Sequence, residues 1–182
     1  MSRLVDRGAV YAAMVGVGMA TTIAVSFLLV IPIEPVAWLL GPLGAILIGY
    51  YANSRAGRLH GPWGRILASA LFAGAVTGLT LAALLLAIKA IFFYADAGYR
   101  DAASGGPLTC GTGPACVYAR YLAEGQGDEL AAVGVTGVAS FTSFYWGEQL
   151  RTAGIVIVLT TLGGLVGGAL YGLARPKERP PP

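Results

Sequence analysis

Long runs of apolar residues alternate with short polar segments along this chain. Four runs stand out, at residues 10–31, 36–51, 66–94 and 153–174. A helix of about 20 apolar residues crosses the hydrocarbon core of a bilayer. In lipid such runs form helices, because an isolated strand would leave its backbone groups without hydrogen bonds. The pattern therefore predicts an all-α integral membrane protein with four transmembrane helices.

The second run is the shortest, and Gly41-Pro42 interrupts it. Proline removes a backbone donor and kinks a helix, which neighbouring helices tolerate within a membrane. We expect a kinked or tilted span here, because no charged residue lies close to the proline. The alternative is a broken helix whose exposed carbonyls contact an ion, as in some transporters.

Basic residues gather in the segments that flank alternate ends of these runs. Eight of the twelve lie before the first run, between the second and third, and after the fourth: Arg3, Arg7, Arg55, Arg58, Arg65, Arg175, Lys177 and Arg179. Cytoplasmic loops are enriched in Arg and Lys. The pattern predicts a multi-pass protein of the cell (inner) membrane, with both termini and the tail 175–182 in the cytoplasm.

Composition agrees with a chain dissolved in lipid. Hydrophobic residues make up 56% of the 182 positions, and charged residues make up 12%, whereas a soluble domain carries about 25% charged residues. These values exclude a disordered chain, a nucleic-acid-binding domain and an ordinary cytosolic enzyme. The net charge of +3 follows from the loop arginines and does not indicate a nucleic-acid partner.

Residues 95–152 form the one long link between runs, and the orientation predicts that they form an extracytoplasmic cap. Residues 101–114 are rich in Gly, Ser and Pro and are expected to be a loop. A short helix is expected over 116–124, and Asp128-Glu129 is expected to begin another turn.

The end of this cap carries an aromatic stripe. Phe141, Phe144 and Tyr145 are spaced i, i+3 and i+4, so they share one face of a helix. Aromatic side chains suit the headgroup level of a membrane. We interpret the stripe as an interfacial anchor that leads into the fourth span; a contact surface for a substrate or quinone is the alternative.

The only two cysteines, Cys110 and Cys116, lie in the cap, where the compartment permits disulfides. A bridge over so short a loop contributes about 2 kcal/mol by the chain-entropy estimate. We expect a structural disulfide; the alternative is an envelope thiol-redox protein. No metal site is expected, because the only histidine, His60, is on the other side of the predicted membrane.

Lys89 is the only charged residue within the four runs, near the outer end of the third. Asp96 follows on roughly the same helix face, and Glu34 and Glu148 are further candidate partners. We interpret Lys89 as an interfacial anchor whose long side chain reaches the headgroups. A polar site that gates a path or binds an anion is the alternative.

Small residues recur every four positions in each run. The fourth run has Gly164, Gly168 and Gly172, and the third has Gly74 and Gly78. Such glycine-zipper spacing makes a helix face without side chains, on which another backbone packs closely. We expect a packing face, directed either into the four-helix bundle or towards another protein.

The sequence contains no phosphate-binding loop, Ser-His-Asp set or metal motif. We therefore expect no enzymatic centre and no cofactor. The expected function is an accessory or packing subunit of a membrane assembly, whose partners are further copies of the chain or other membrane subunits. The alternatives are a transporter or channel component, with Lys89 and Pro42 along its path, and the thiol-redox protein.

Overall fold

The computed structural model describes residues 7–29, 34–56, 62–95 and 110–174, and every regular element within these ranges is an α-helix. The helices are α1 (Arg7–Leu29), α2 (Glu34–Arg55), α3 (Trp63–Tyr94), α4 (Pro114–Ala123), α5 (Gly127–Ala132) and α6 (Val138–Leu173). The all-α prediction is confirmed over this part of the chain.

Three of these helices are long and apolar enough to cross a membrane. They are α1 over Arg7–Ser26, α3 and α6. Their composition is consistent with a membrane location. The helix α2 is not among them, and its last turn carries the polar residues Asn53, Ser54 and Arg55. Four spans are therefore not confirmed by length and composition.

The helix α6 begins at Val138, well before the predicted start at 153, and takes in the aromatic stripe. No proline occurs between 115 and 175 to end it. Its first turn is fixed by Ser140, whose Oγ accepts the N–H of Gly137 at 3.1 Å. This is the return half of a capping box. The expected interfacial anchor and the fourth run are thus one continuous helix.

The helix α2 runs without interruption across Pro42 and ends at Arg55, four residues beyond the predicted end of the second run. A broken helix at this position is therefore wrong. Neighbouring helices pack around the proline: the carbonyl oxygen of Pro42 would lie 2.6 Å from a Cβ built on Gly163.

The chain divides into two units. We call residues 1–84 with 153–182 the bundle unit, and residues 85–152 the cap unit. The cap unit ends where the predicted cap ends, but it also includes the last turns of α3. The expected loop 101–114 lies outside the described residues as far as position 109.

In the bundle unit, α1, α2 and α3 share a core of small residues. Ala12, Ile48, Ala52 and Ala73 form a buried cluster, and Met19 packs against it. Small side chains let the helix backbones approach closely, which is how helices gain packing energy where lipid supplies no hydrophobic driving force.

In the cap unit, the core is aromatic. Its buried members are Phe93, Val117, Leu130, Val135, Phe141 and Tyr145. The rings of Phe93 and Tyr145 stack with centroids 4.4 Å apart. This core fastens α4 and α5 to the end of α3 and the start of α6.

Two glycine turns shape the cap unit, after α4 and after α5. Gly125 has a φ of 81°, a conformation that favours glycine. Its N–H donates to the carbonyl of Leu122, and the N–H of Gln126 donates to that of Tyr121, both at 3.1 Å. This is a Schellman motif, and Gly134 ends α5 in the same way. The turns reverse the chain so that both short helices reach the same core.

Candidate functional site

The predicted glycine face of α6 lies against two other helices of the bundle unit. A Cβ built on Gly168 would lie 2.5 Å from the Cβ of Ala70, and one on Gly172 would lie 2.5 Å from Cη2 of Trp63. Both neighbours belong to α3. On the adjacent face, Gly163 and Gly167 approach the backbone of α2 at Pro42 and Ile46.

Gly164 lies where three backbones meet. A Cβ on it would be 2.8 Å from the carbonyl oxygen of Ala70 and 2.9 Å from the Cα of Gly74, both in α3. Across α2, a Cβ on Gly49 would be 2.8 Å from the carbonyl carbon of Gly164. Gly78 packs one turn further along α3, against Thr160 and Ile157. Both glycine registers of α6 are therefore occupied within the chain.

Among the described residues of the bundle unit, the buried polar side chains are uncharged. They are Asn53, Ser69, Thr77 and Thr160. Thr77 and Thr160 donate to carbonyls one turn earlier in their own helices, at 2.8 and 2.7 Å. The Nδ2 of Asn53 donates to the carbonyls of Gly49 and Ile66, both at 3.1 Å, and so joins α2 to α3.

Cys110 and Cys116 lie at disulfide distance, with Cα atoms 5.4 Å apart. Cys116 is buried in the first turn of α4, which starts with Pro114 after Gly113. Proline at the first helical position is pre-organised for the helix. The pair therefore holds the start of α4 to the segment that precedes it.

Of the four residues of the predicted polar site, Lys89 and Glu148 have side chains that the structure describes. Lys89 is half-buried on α3, in the cap unit. Glu148 is exposed on α6 and pairs with Arg151, 3.7 Å away and one turn on. An exposed pair of this kind contributes about 0–1 kcal/mol. Asp96 and the side chain of Glu34 lie outside the described residues.

The aromatic stripe packs in and around the cap core. Phe141 and Tyr145 are buried in the cap core, and Phe144 packs at its edge. The next residue, Trp146, donates its Nε1–H to the hydroxyl of Tyr94 at 3.1 Å. The stripe therefore serves first to hold the cap together.

A cavity of about 120 Å³ opens in the cap unit beside this core. Its lining residues are Phe92, Phe93, Val117, Arg120, Tyr121, Glu124, Gln126 and Tyr145. Arg120 is only 5% exposed, and an arginine is rarely buried to that extent unless an anion or acceptor meets it. We call this cavity the Arg120 pocket.

Sequence reasoning missed Arg120 as a candidate functional residue. Its spacing carried a usable signal: Val117, Arg120, Tyr121 and Glu124 fall at i, i+3, i+4 and i+7, and so share a helix face. A basic residue on the apolar face of a short helix indicates a buried cation. The local sequence does not show that this face is buried, because the residues that cover it, Phe93 and Tyr145, are distant in sequence.

No protein-family model, no curated protein and no solved structure matches this chain.

Proposed function

We propose that this protein crosses the membrane four times, with α2 as the fourth span and both termini in the cytoplasm. The support is that α2 packs on each of the three apolar helices. It meets α1 at Gly44, which lies against Met19, and it meets α3 at Asn53 and α6 at Pro42. A helix packed at several levels among three spanning neighbours lies at their depth, and the loop arginines give the orientation.

We further propose that the protein is a non-catalytic accessory subunit of a membrane assembly. One observation supports this most: the bundle unit packs through glycine faces that are filled within the chain, with only uncharged polar side chains buried among its described residues. Such a bundle acts as a scaffold. A partner then docks on the outward apolar surfaces or on the cap, and not on the glycine face of α6.

The topology is tested by cysteine labelling in intact cells. Starting from a Cys110→Ser, Cys116→Ser chain, single cysteines replace Val133 on the cap and Ser54 at the end of α2; both residues are exposed. In intact cells, a membrane-impermeant maleimide is expected to label Val133→Cys and not Ser54→Cys. After the cells are opened, it is expected to label Ser54→Cys as well. Labelling of Ser54→Cys from outside contradicts the four-span topology.

The accessory role is tested by photo-crosslinking in native membranes. A photoreactive amino acid replaces, one at a time, Met14 on α1, Leu79 on α3, Val158 on α6 and Val133 on the cap, all strongly exposed. A subunit with a defined partner is expected to give a discrete protein adduct from one of these surfaces, while the other three serve as matched controls. If all four sites react with lipid alone, the proposal fails.

A further inference from the structure

The Arg120 pocket combines a buried cation with an aromatic wall. Arg120 projects from α4 among Val117, Tyr121 and the stacked rings of Phe93 and Tyr145. Moving a charge out of water is costly unless charge or hydrogen bonds compensate for it. A guanidinium has five N–H donors, so Arg120 can serve a bound anion in addition to contacts within the chain.

The size of the pocket restricts what it holds. Its volume of about 120 Å³ leaves room for several water molecules. Pockets for drug-sized ligands measure about 300–1,000 Å³. The cavity therefore suits a small group such as a single oxyanion better than a large ligand.

The lining chemistry favours an anion with several acceptor oxygens. Besides Arg120, three lining residues carry side-chain hydrogen-bond donors. These donors are the hydroxyls of Tyr121 and Tyr145 and the amide of Gln126. Gln126 is positioned by the Schellman turn, since its N–H bonds to the carbonyl of Tyr121. One lining residue opposes an anion: Glu124, which is exposed and lies at the pocket rim.

We propose that the Arg120 pocket binds one phosphate group, supplied either by a phospholipid headgroup or by free phosphate. Arginine is suited to phosphate because its planar fork donates two parallel hydrogen bonds. Phe92 and Phe93 belong to the last turn of the apolar helix α3. On the proposed topology, on which this point rests, that turn lies near the outer headgroups, where aromatic residues are enriched.

The experiment uses the full-length protein in a phosphate-free detergent. Inorganic phosphate is titrated at constant ionic strength, and binding is followed by tryptophan fluorescence and by ligand-dependent shift of the melting temperature. A second arm uses native mass spectrometry with a short-chain phosphatidylglycerol and, as its control, a glycolipid of equal chain length without phosphate. Response to inorganic phosphate identifies a free-phosphate site, and response to phosphatidylglycerol alone identifies a headgroup site.

Variants in the lining separate this pocket from other surfaces. Arg120→Gln is expected to weaken phosphate binding by about 30-fold or more, as for loss of a buried partner of a charge. Tyr121→Phe is expected to weaken binding about tenfold, as for one hydrogen bond to a charged group. Glu124→Gln is expected to strengthen it a few-fold, because a nearby like charge is removed. Tyr118→Phe is the matched control, since Tyr118 packs on Phe141 and does not line the pocket.

Two results overturn the proposal: no binding in either arm, or binding that Tyr121→Phe and Glu124→Gln leave unchanged. The second criterion holds even if Arg120→Gln fails to fold, because Glu124 is exposed and Tyr121→Phe preserves the ring. The titration is made in detergent and does not depend on orientation. The maleimide labelling therefore tests the topology, and the phosphate titration tests the pocket independently of it.

Discussion

Ser69 differs from the other buried hydroxyls of the bundle unit in having no hydrogen-bond partner. Thr77 and Thr160 bond to their own helices, whereas the Oγ of Ser69 is buried and makes no bond. A buried polar group without a partner costs about 1–3 kcal/mol. Removing the oxygen also leaves only a small gap.

We therefore expect Ser69→Ala to stabilise the protein by about 1 kcal/mol, because it removes an unsatisfied group and introduces the best helix former. The measurement is thermal unfolding in detergent followed by circular dichroism. Ser54→Ala is the control, since Ser54 is exposed in the same unit. A lower melting temperature for Ser69→Ala than for Ser54→Ala contradicts this expectation and indicates that the hydroxyl has a function.

The sequence predicted residue roles where they depend on local spacing, and missed them where they depend on tertiary contacts. The glycine faces and the disulfide-spaced cysteines were visible as patterns. The burial of Arg120 was not, because it depends on Phe93 and Tyr145, which α3 and α6 bring to the same place. The left-handed glycines Gly125 and Gly134 were missed because the chain holds 27 glycines, most of them in packing or loop positions.

At the scale of elements, α6 carries two rows of glycines on adjacent faces, and the two rows differ in the helices they contact. Gly164 and Gly168 meet α3, and Gly164 also meets Gly49 of α2, while Gly163 and Gly167 meet α2 alone. The four-residue spacing predicts a close approach. It does not predict the partner, since that depends on the rotation of each helix in the bundle. This is why the sequence left an internal and an intermolecular face equally open.

A single methyl group tests this packing. Gly167→Ala is expected to destabilise the bundle by about 1–3 kcal/mol, as overpacking does, because its Cβ meets the carbonyl of Ile46 in the backbone of α2. Gly154→Ala is the matched control on the same helix, where nothing lies within 4 Å. It is expected to be neutral or to stabilise by up to about 1 kcal/mol, as alanine does in a helix. Equal melting temperatures for the two variants, measured in detergent, would show that α6 does not pack as described.

At the scale of the whole molecule, hydropathy predicted a lipid-facing part and an outer cap, and the chain does divide into two units. The boundaries between these units fall within helices, because α3 and α6 continue from one unit into the other. Hydropathy marks where a chain becomes less apolar, and that is not where a helix has to end. The four-span topology still depends on the charge pattern and on the packing of α2.

The two units are expected to respond differently to reduction. Opening the Cys110–Cys116 bridge removes about 2 kcal/mol by the chain-entropy estimate, and its effect falls on α4 and the cap core. In a Trp38→Phe, Trp63→Phe chain, the fluorescence of Trp146 reports the cap, while circular dichroism is dominated by the long helices. A reductant is expected to lower the midpoint of the fluorescence transition and to leave the dichroism transition in place.

The control is the Cys110→Ser, Cys116→Ser chain, in which the reductant is expected to have no effect. If the two transitions shift together in the oxidised chain, the cap and the bundle unfold as one cooperative system, and the division into units has no thermodynamic meaning.

The meeting of three backbones at Gly164 has a consequence for biogenesis. A ribosome delivers α2 and α3 before α6, so we expect the peptide groups around Gly49 and Gly74 to lack their packing partner until α6 is made. Lipid tails replace this partner poorly, because they match neither its shape nor its carbonyl dipoles. We therefore expect the insertion of α6 to complete the packing at Gly49 and Gly74, and chains that lack α6 to be recognised as incompletely folded.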